Sequence, residues 1–190
     1  MDYSILNRAP DVAQAVVGHS VDANGNAVPQ SAGAPNPVAG PATLRATQAP
    51  TITSGSAYAA GNAVGGLLTF SGMARVSGQG GVLQAAVLRD KAGQNVGYDL
   101  FLFDSAPTAP TDKSAVALAA ADLAKCVGVV SFSGAALGAA STMGVITASG
   151  VGLAFRLTSG TSLSGILVTR GTPTYASTSD VSVDLLVLPD

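Results

Sequence analysis

The chain of 190 residues has no tryptophan, no glutamate, one cysteine and one histidine. Each absence closes off some chemistry. A single cysteine, Cys126, leaves no partner for an intrachain disulfide. It sits in the apolar run "KCVGVVSF" and reads as a small buried hydrophobe rather than a reactive thiol. A thiol nucleophile also needs a base, and the one histidine, His19, lies in a stretch with little to pack. All eleven acidic residues are aspartate. Glutamate favours helices whereas aspartate favours caps and turns, so this usage points to a β-rich chain. Aromatics make up 5% of the residues although hydrophobics make up 47%, and 23 residues are glycine. Such a mixture suits thin strands and tight turns.

Charge is scarce as well. Nine basic residues face eleven acidic ones, for a formal net charge of -2. No Lys/Arg cluster offers a footprint for nucleic acid, and no polybasic patch offers one for an anionic membrane. Cys126 to Phe155 carries no charge and is long enough to span a bilayer. It also holds six glycines and six Ser/Thr residues, with no Trp/Tyr belt at either end. Two or three strands joined by small-residue turns is therefore the better reading, and no membrane partner is expected. The start, "MDYSILNRAPDVAQAVV", lacks a basic leader and a long apolar run. A protein made and kept in a cytoplasm, or assembled there into something larger, is expected.

What the chain does have is unevenly distributed. Six of its ten prolines fall in the first fifty residues. Between His19 and Pro50, Leu44 is the sole Leu, Ile, Phe or Tyr. Such a stretch buries too little apolar area to offset an ordering entropy of roughly 1–2 kcal/mol per residue. Residues 1–50 are accordingly read as an extended arm and 51–190 as a folded body. Inside the arm, "PDVAQAVVG" places Pro10 at a first helical position and Gly18 at a stop. Val12, Val16 and Val17 make a narrow apolar stripe, with Ile5 and Leu6 just upstream. A two-turn helix is not stable alone, so this is either a hook that folds against a partner or a frayed terminus. Ile5, Leu6, Val12, Val16, Val17 and Leu44 are the candidate partner-binding residues.

After Pro50 the pattern turns to strands. "NAVGGLLTF", Val82 to about Arg89, "VGYDLFLFD", "CVGVVSF", "MGVITA", "LAFRL", "LSGILVTR" and "VSVDLLVLPD" give about eight over about 140 residues. "VGYDLFLFD" is apolar on both faces at its centre, as in an inner strand covered on both sides. "DKSAVALAAADLAK" is the one helical candidate of the body, with Asp112 as cap and Lys125 at its end. The spacing predicts an all-β, antiparallel sandwich or barrel.

Catalytic sets are hard to assemble. "DANGNA" (Asp22 to Ala27) opens like a calcium loop, but Ala27 and Gly33 stand where glycine and glutamate are needed, so it reads as a turn. "SGQGGV" lacks phosphate-loop spacing and reads as a hairpin loop. Paired aspartates for sugar hydrolysis lack supporting aromatics. Arg75, Arg89, Arg156 and Arg170 fall near strand ends, and Tyr175 in "TPTYAST" is the one loop aromatic that a receptor-recognising role would call on. No enzyme activity, cofactor or metal is expected.

"GNAVGGLLTF", "DKAGQNVGYDLFLFD", "ADLAKCVGVVSF" and "RGTPTYASTSDVSVDLLVLPD" resemble small structural proteins of tailed bacteriophages, over roughly Ser54 to Asp190. The resemblance implies a jelly-roll-like antiparallel β-sandwich with an extended N-terminal arm. It implies a capsid decoration (cement) subunit that binds the phage major capsid protein on the virion exterior, after synthesis in the host cytoplasm. A symmetric homo-oligomer, a trimer before others, would suit that role. The rival expectation is a tail-associated or receptor-recognising jelly roll. An arm of about thirty residues reaching roughly 3.3 Å per residue would touch second or third subunits. A body lacking residues 1–50 is then expected to fold yet bind heads weakly.

Overall fold

The computed structural model describes residues 42–133 and 143–190, with Ser20–Val21 and Ala27–Val28 before them. The chain divides into two units, 1–40 and 41–190. In the first, Ser20–Val21 (β1) pairs antiparallel with Ala27–Val28 (β2); the turn read at Asp22 to Asn26 lies outside the described residues.

Among its described residues the second unit holds eight strands and one helical turn. These are Leu44–Gln48 (β3), Leu68–Phe70 (β4), Gly80–Asp90 (β5), Tyr98–Phe103 (β6), Ala120–Leu123 (α1), Cys126–Phe132 (β7), Gly144–Arg156 (β8), Leu163–Thr169 (β9) and Val181–Pro189 (β10). They form two four-stranded sheets, β3-β10-β5-β8 and β4-β9-β6-β7, antiparallel at every contact. Counted from β3 as one to eight, the first strand pairs with the last, the second with the seventh, the third with the sixth and the fourth with the fifth. This nesting results when one long hairpin is folded over on itself, so that its two halves become two facing sheets.

Alternation builds the core. Val181, Val183, Leu185 and Val187 of β10 point inward, with Leu83, Ala86 and Leu88 of β5. Tyr98, Leu100 and Leu102 of β6, Phe132 of β7 and Leu163 and Leu167 of β9 meet them from the other sheet. Two glycines are set by close approach. A Cβ on Gly80 would lie 1.9 Å from the Phe155 carbonyl oxygen. Gly65 has φ +78°, and a Cβ there would meet the Pro50 Cβ at 2.4 Å.

Three expectations are corrected. The arm does not reach residue 50: Leu44–Gln48 is an edge strand in register with β10, Leu44 opposite Val187 and Gln48 opposite Val183. Leu44 and Ala46 pack on the core and Pro50 is buried, so Leu44 belongs to the body's packing. The sequence missed this strand because "LRATQ" carries one large apolar residue, and its partner lies 139 residues away. Secondly, the helical candidate within Asp112–Lys125, expected at one or two turns, is the single turn Ala120–Leu123, but Asp112 does not cap it: Ala119 is its N-cap and there is no side-chain cap. Thirdly, "MGVITA" and "LAFRL" join as one strand, β8, interrupted where Ser149 and Leu153 flank a bulge opposite Gln84. No helix among the described residues is long and apolar enough to cross a membrane.

Candidate functional site

The outer faces of the two sheets are treated differently by the chain. Over β4-β9-β6-β7 runs the connection 104–125, and a second apolar cluster fills the space beneath it. Phe103, Ile166 and Val168 are buried there, with Leu67, Phe101, Val116, Leu118 and Cys126 packed around them. Burying such side chains is worth roughly 1.5–3 kcal/mol each. A cavity of ≈ 150 Å³ remains between Ile166 and the stretch 108–118. This cover explains why every residue of β9 is buried.

Asp112 fastens the cover. Its carboxylate accepts from the Thr53 N–H (2.9 Å) and hydroxyl (2.7 Å), the Tyr58 hydroxyl (2.8 Å) and the Gly65 N–H (2.7 Å). Burial pushes its pKa up, but hydrogen bonds from Thr53, Gly65 and Tyr58 outweigh burial and hold it below the usual range. Tyr58, by burial and by its bond to Asp112, is pushed up to about 12. Main-chain bonds from Ala63 to Ser114 (2.9 Å), Lys113 to Ala63 (2.9 Å) and Val116 to Gly61 (3.0 Å) complete the seam. Further along, Asp122 takes Lys125 at 2.9 Å and the Thr108 N–H at 3.2 Å.

The outer face of β3-β10-β5-β8 has no such cover among the described residues. Register places its side chains in rows across the strands. One row runs Thr47, Asp184, Val87, Thr147 and the next Arg45, Leu186, Ala85, Ser149. A third holds Leu188 opposite Val82. Val145, beside Arg89, is 45% exposed. Half-buried Val82, Ala85, Val87, Leu186 and Leu188 thus run along its two middle strands, flanked by Arg45, Thr47, Thr147 and Ser149.

Asp184 is the exception within it, and it is sealed. It is 1% exposed although it points away from the core. Arg45 from β3 and Arg89 from β5 close on its Oδ2 at 2.5 and 2.7 Å. Burial raises its pKa, yet hydrogen bonds from Thr47, Arg89 and Arg45 bring the carboxyl below its ordinary value. Its other oxygen, Oδ1, is buried with no hydrogen-bond partner. The guanidinium side chains themselves stay 57% and 36% exposed.

At one end of the sandwich the connections lock together. Thr174 N–H reaches Gln94 Oε1 at 2.8 Å, and Gly55 and Tyr58 N–H groups reach the carbonyls of Tyr175 and Pro173. Tyr175 is fully buried, edge-on to Tyr58 at 5.4 Å, with its hydroxyl 2.8 Å from that of Tyr98. Burial first, then Tyr98, drives the Tyr175 phenol pKa far up. Tyr175 is thus a core residue, which corrects its reading as a loop aromatic for recognition. Asp90 and Asp180 sit at this end too, each engaged by turn N–H groups: Ala92 and Gln94 for Asp90, Ala176 and Ser177 for Asp180. They hold turns, as the preference of aspartate for such positions implies.

Ile5, Leu6, Val12, Val16, Val17 and His19 lie outside the described residues. Cys126 is half-buried in the second cluster, its Sγ 3.6 Å from the Gly128 carbonyl oxygen. Arg170 pairs with Asp99 and Ser131, Arg156 reaches the Gly78 carbonyl oxygen, and Arg75 is exposed. Among the described residues, no group of three or more His, Cys, Asp or Glu side chains converges as a metal site. The sequence reading missed the bare face. Its signal was present in "VSVDLLVLPD", where Leu186 and Leu188 share a face with Ser182 and Asp184, but which strands flank them was not legible.

Comparison with protein families, curated proteins and solved structures finds no match for this chain.

Proposed function

We propose that this protein is a virion structural subunit, a capsid decoration or cement protein that binds the major capsid protein from outside the shell. We read the nested pairing of eight strands as that of a jelly roll, an architecture common among viral capsid domains, and this supports the proposal. A fold does not by itself give a function. The observation that carries the proposal is the contrast between the two sheets, one roofed by its own chain and one that, among the described residues, is left without a roof. A subunit that works by covering a neighbour needs such a face on a rigid body, and the locked connections supply the rigidity.

The virion exterior is its proposed location, after synthesis in the host cytoplasm, and a homo-oligomer, with a trimer favoured, its proposed state. The alternative, a tail-associated or receptor-recognising module, is not favoured, because Tyr58, Tyr98 and Tyr175 are all buried. Fitting the sandwich into an electron-microscopy map of the virus particle that encodes it tests the proposal. Sandwich density on the outer shell is the expected result. Density at the tail would favour the alternative, and density at neither would end both.

A further inference from the structure

We infer that the outward face of β3-β10-β5-β8 docks a flat apolar protein surface that carries carboxylates, and does not pair with a second copy of this chain; the inference rests on the cement reading and names the chemistry of its partner. The face lies across four strands about 4.8 Å apart, and Ser182 to Leu188 spans about 20 Å at roughly 3.3 Å per residue. That is about 300 Å², the size of a patch that on monomers is often functional. It is well short of the roughly 800 Å² per partner in a stable binary interface. A face of this size therefore suits one contact among many in a lattice better than a free-standing dimer.

Charge selects the partner. Around Asp184, Arg45 and Arg89 bring two positive charges against its one negative charge, a local balance of +1, and Arg156 at the end of β8 adds a further positive charge to the same face. Asp184 is sealed beneath Arg45 and Arg89, so an incoming surface meets guanidinium groups, not the carboxylate. Each guanidinium has donors beyond the one spent on Asp184 Oδ2, in a fork that matches a carboxylate. Two copies stacked face to face would bring four arginines together with no exposed carboxylate between them. An acidic rim on the partner removes that conflict, while its apolar centre covers Val82, Val87, Leu186 and Leu188.

Hydroxyl-radical footprinting of the full chain, alone and mixed with purified shells lacking this protein, tests the inference. Leu186 and Leu188, both half-buried, should label to the same partial extent in the isolated protein at every concentration and become protected on the shells. Leu186→Lys should weaken co-sedimentation with shells about tenfold or more with the melting temperature held, whereas Val76→Lys, 60% exposed in another loop, should not. Protection in the dilute isolated protein would mean that the chain's own residues 1–41 occupy the face. Protection that grows with concentration would mean a second copy does. Either result overturns the inference, as does full binding by Leu186→Lys with its face still open on the shell. If the unaltered protein does not bind shells, the cement reading fails. The isolated-protein labelling then decides the face: the same partial labelling at all concentrations upholds it as unoccupied by self, and protection overturns it.

Discussion

Asp184 shows how much one side chain can be asked to do. It lies on a central strand, faces outward and is nevertheless buried, so its charge is paired and kept from water only while Arg45 and Arg89 stay on it. Removing both arginines (Arg45→Ala with Arg89→Ala) takes away the partners of Asp184 and also its seal, so water reaches the carboxylate and a loss of about 1–3 kcal/mol is expected from urea unfolding. Asp184→Asn should cost less, because the two arginines can turn to water. The reverse ranking would refute the account. Acid should act on the same residues. Asp99, Asp112 and Asp184 all titrate below their ordinary value, so their contribution is full above about pH 4 and lost as pH falls through their folded pKa values. Asp90 runs the other way: burial raises its pKa, so its contribution is full below about pH 4 and lost as pH rises through its folded value. Asp90→Asn should therefore compare more favourably with the parent at pH 7 than at pH 4, measured as the difference in melting temperature.

At the scale of elements, the cover 104–125 is held at one point more than any other. Asp112→Ala leaves the Tyr58 hydroxyl and the Gly65 N–H without their acceptor, at roughly 1–3 kcal/mol for a buried group left unpaired. Faster hydrogen exchange over residues 108–118, with β5 and β10 unchanged, is the expected signature, and equal exchange throughout would show that the cluster beneath holds the cover unaided. Gly80→Ala places a methyl against the Phe155 carbonyl at the start of β5 and should destabilise by at least about 2 kcal/mol in thermal unfolding. Legibility divides along the same lines. β5, β6, β7, β9 and β10 were readable because alternation or continuous apolar runs are local signals. "VGYDLFLFD" even disclosed its two covered faces, now seen as Leu100 and Leu102 inside and Phe101 and Phe103 under the cover. The alanine run 115–124 misled because alanine's helical preference is small, and here the main chain is committed instead to Gly61 and Ala63. β3 and the bare face were illegible for a different reason: both depend on which strands lie side by side.

For the molecule as a whole, the division between units decides what can be removed. Deleting residues 1–41 should leave the melting transition of the body nearly unchanged. Deleting residues 1–50, expected from composition to leave the body folded, takes β3 from the sheet, Leu44 and Ala46 from the core and Arg45 from Asp184. A large fall in melting temperature, or insoluble protein, is expected. If the shorter body melts like the longer one, the edge strand contributes nothing. Any test of an N-terminal arm in binding should therefore cut at 41, so that lost binding is not merely lost structure. The nested pairing also imposes an order on manufacture. The strand Val181–Pro189 sits between β3 and β5, so their sheet stays split, with neither neighbour holding the other, until that segment has left the ribosome. Strands made earlier must wait for it, and a polypeptide halted at residue 180 has β3 alone and the β5-β8 pair with nothing to join them.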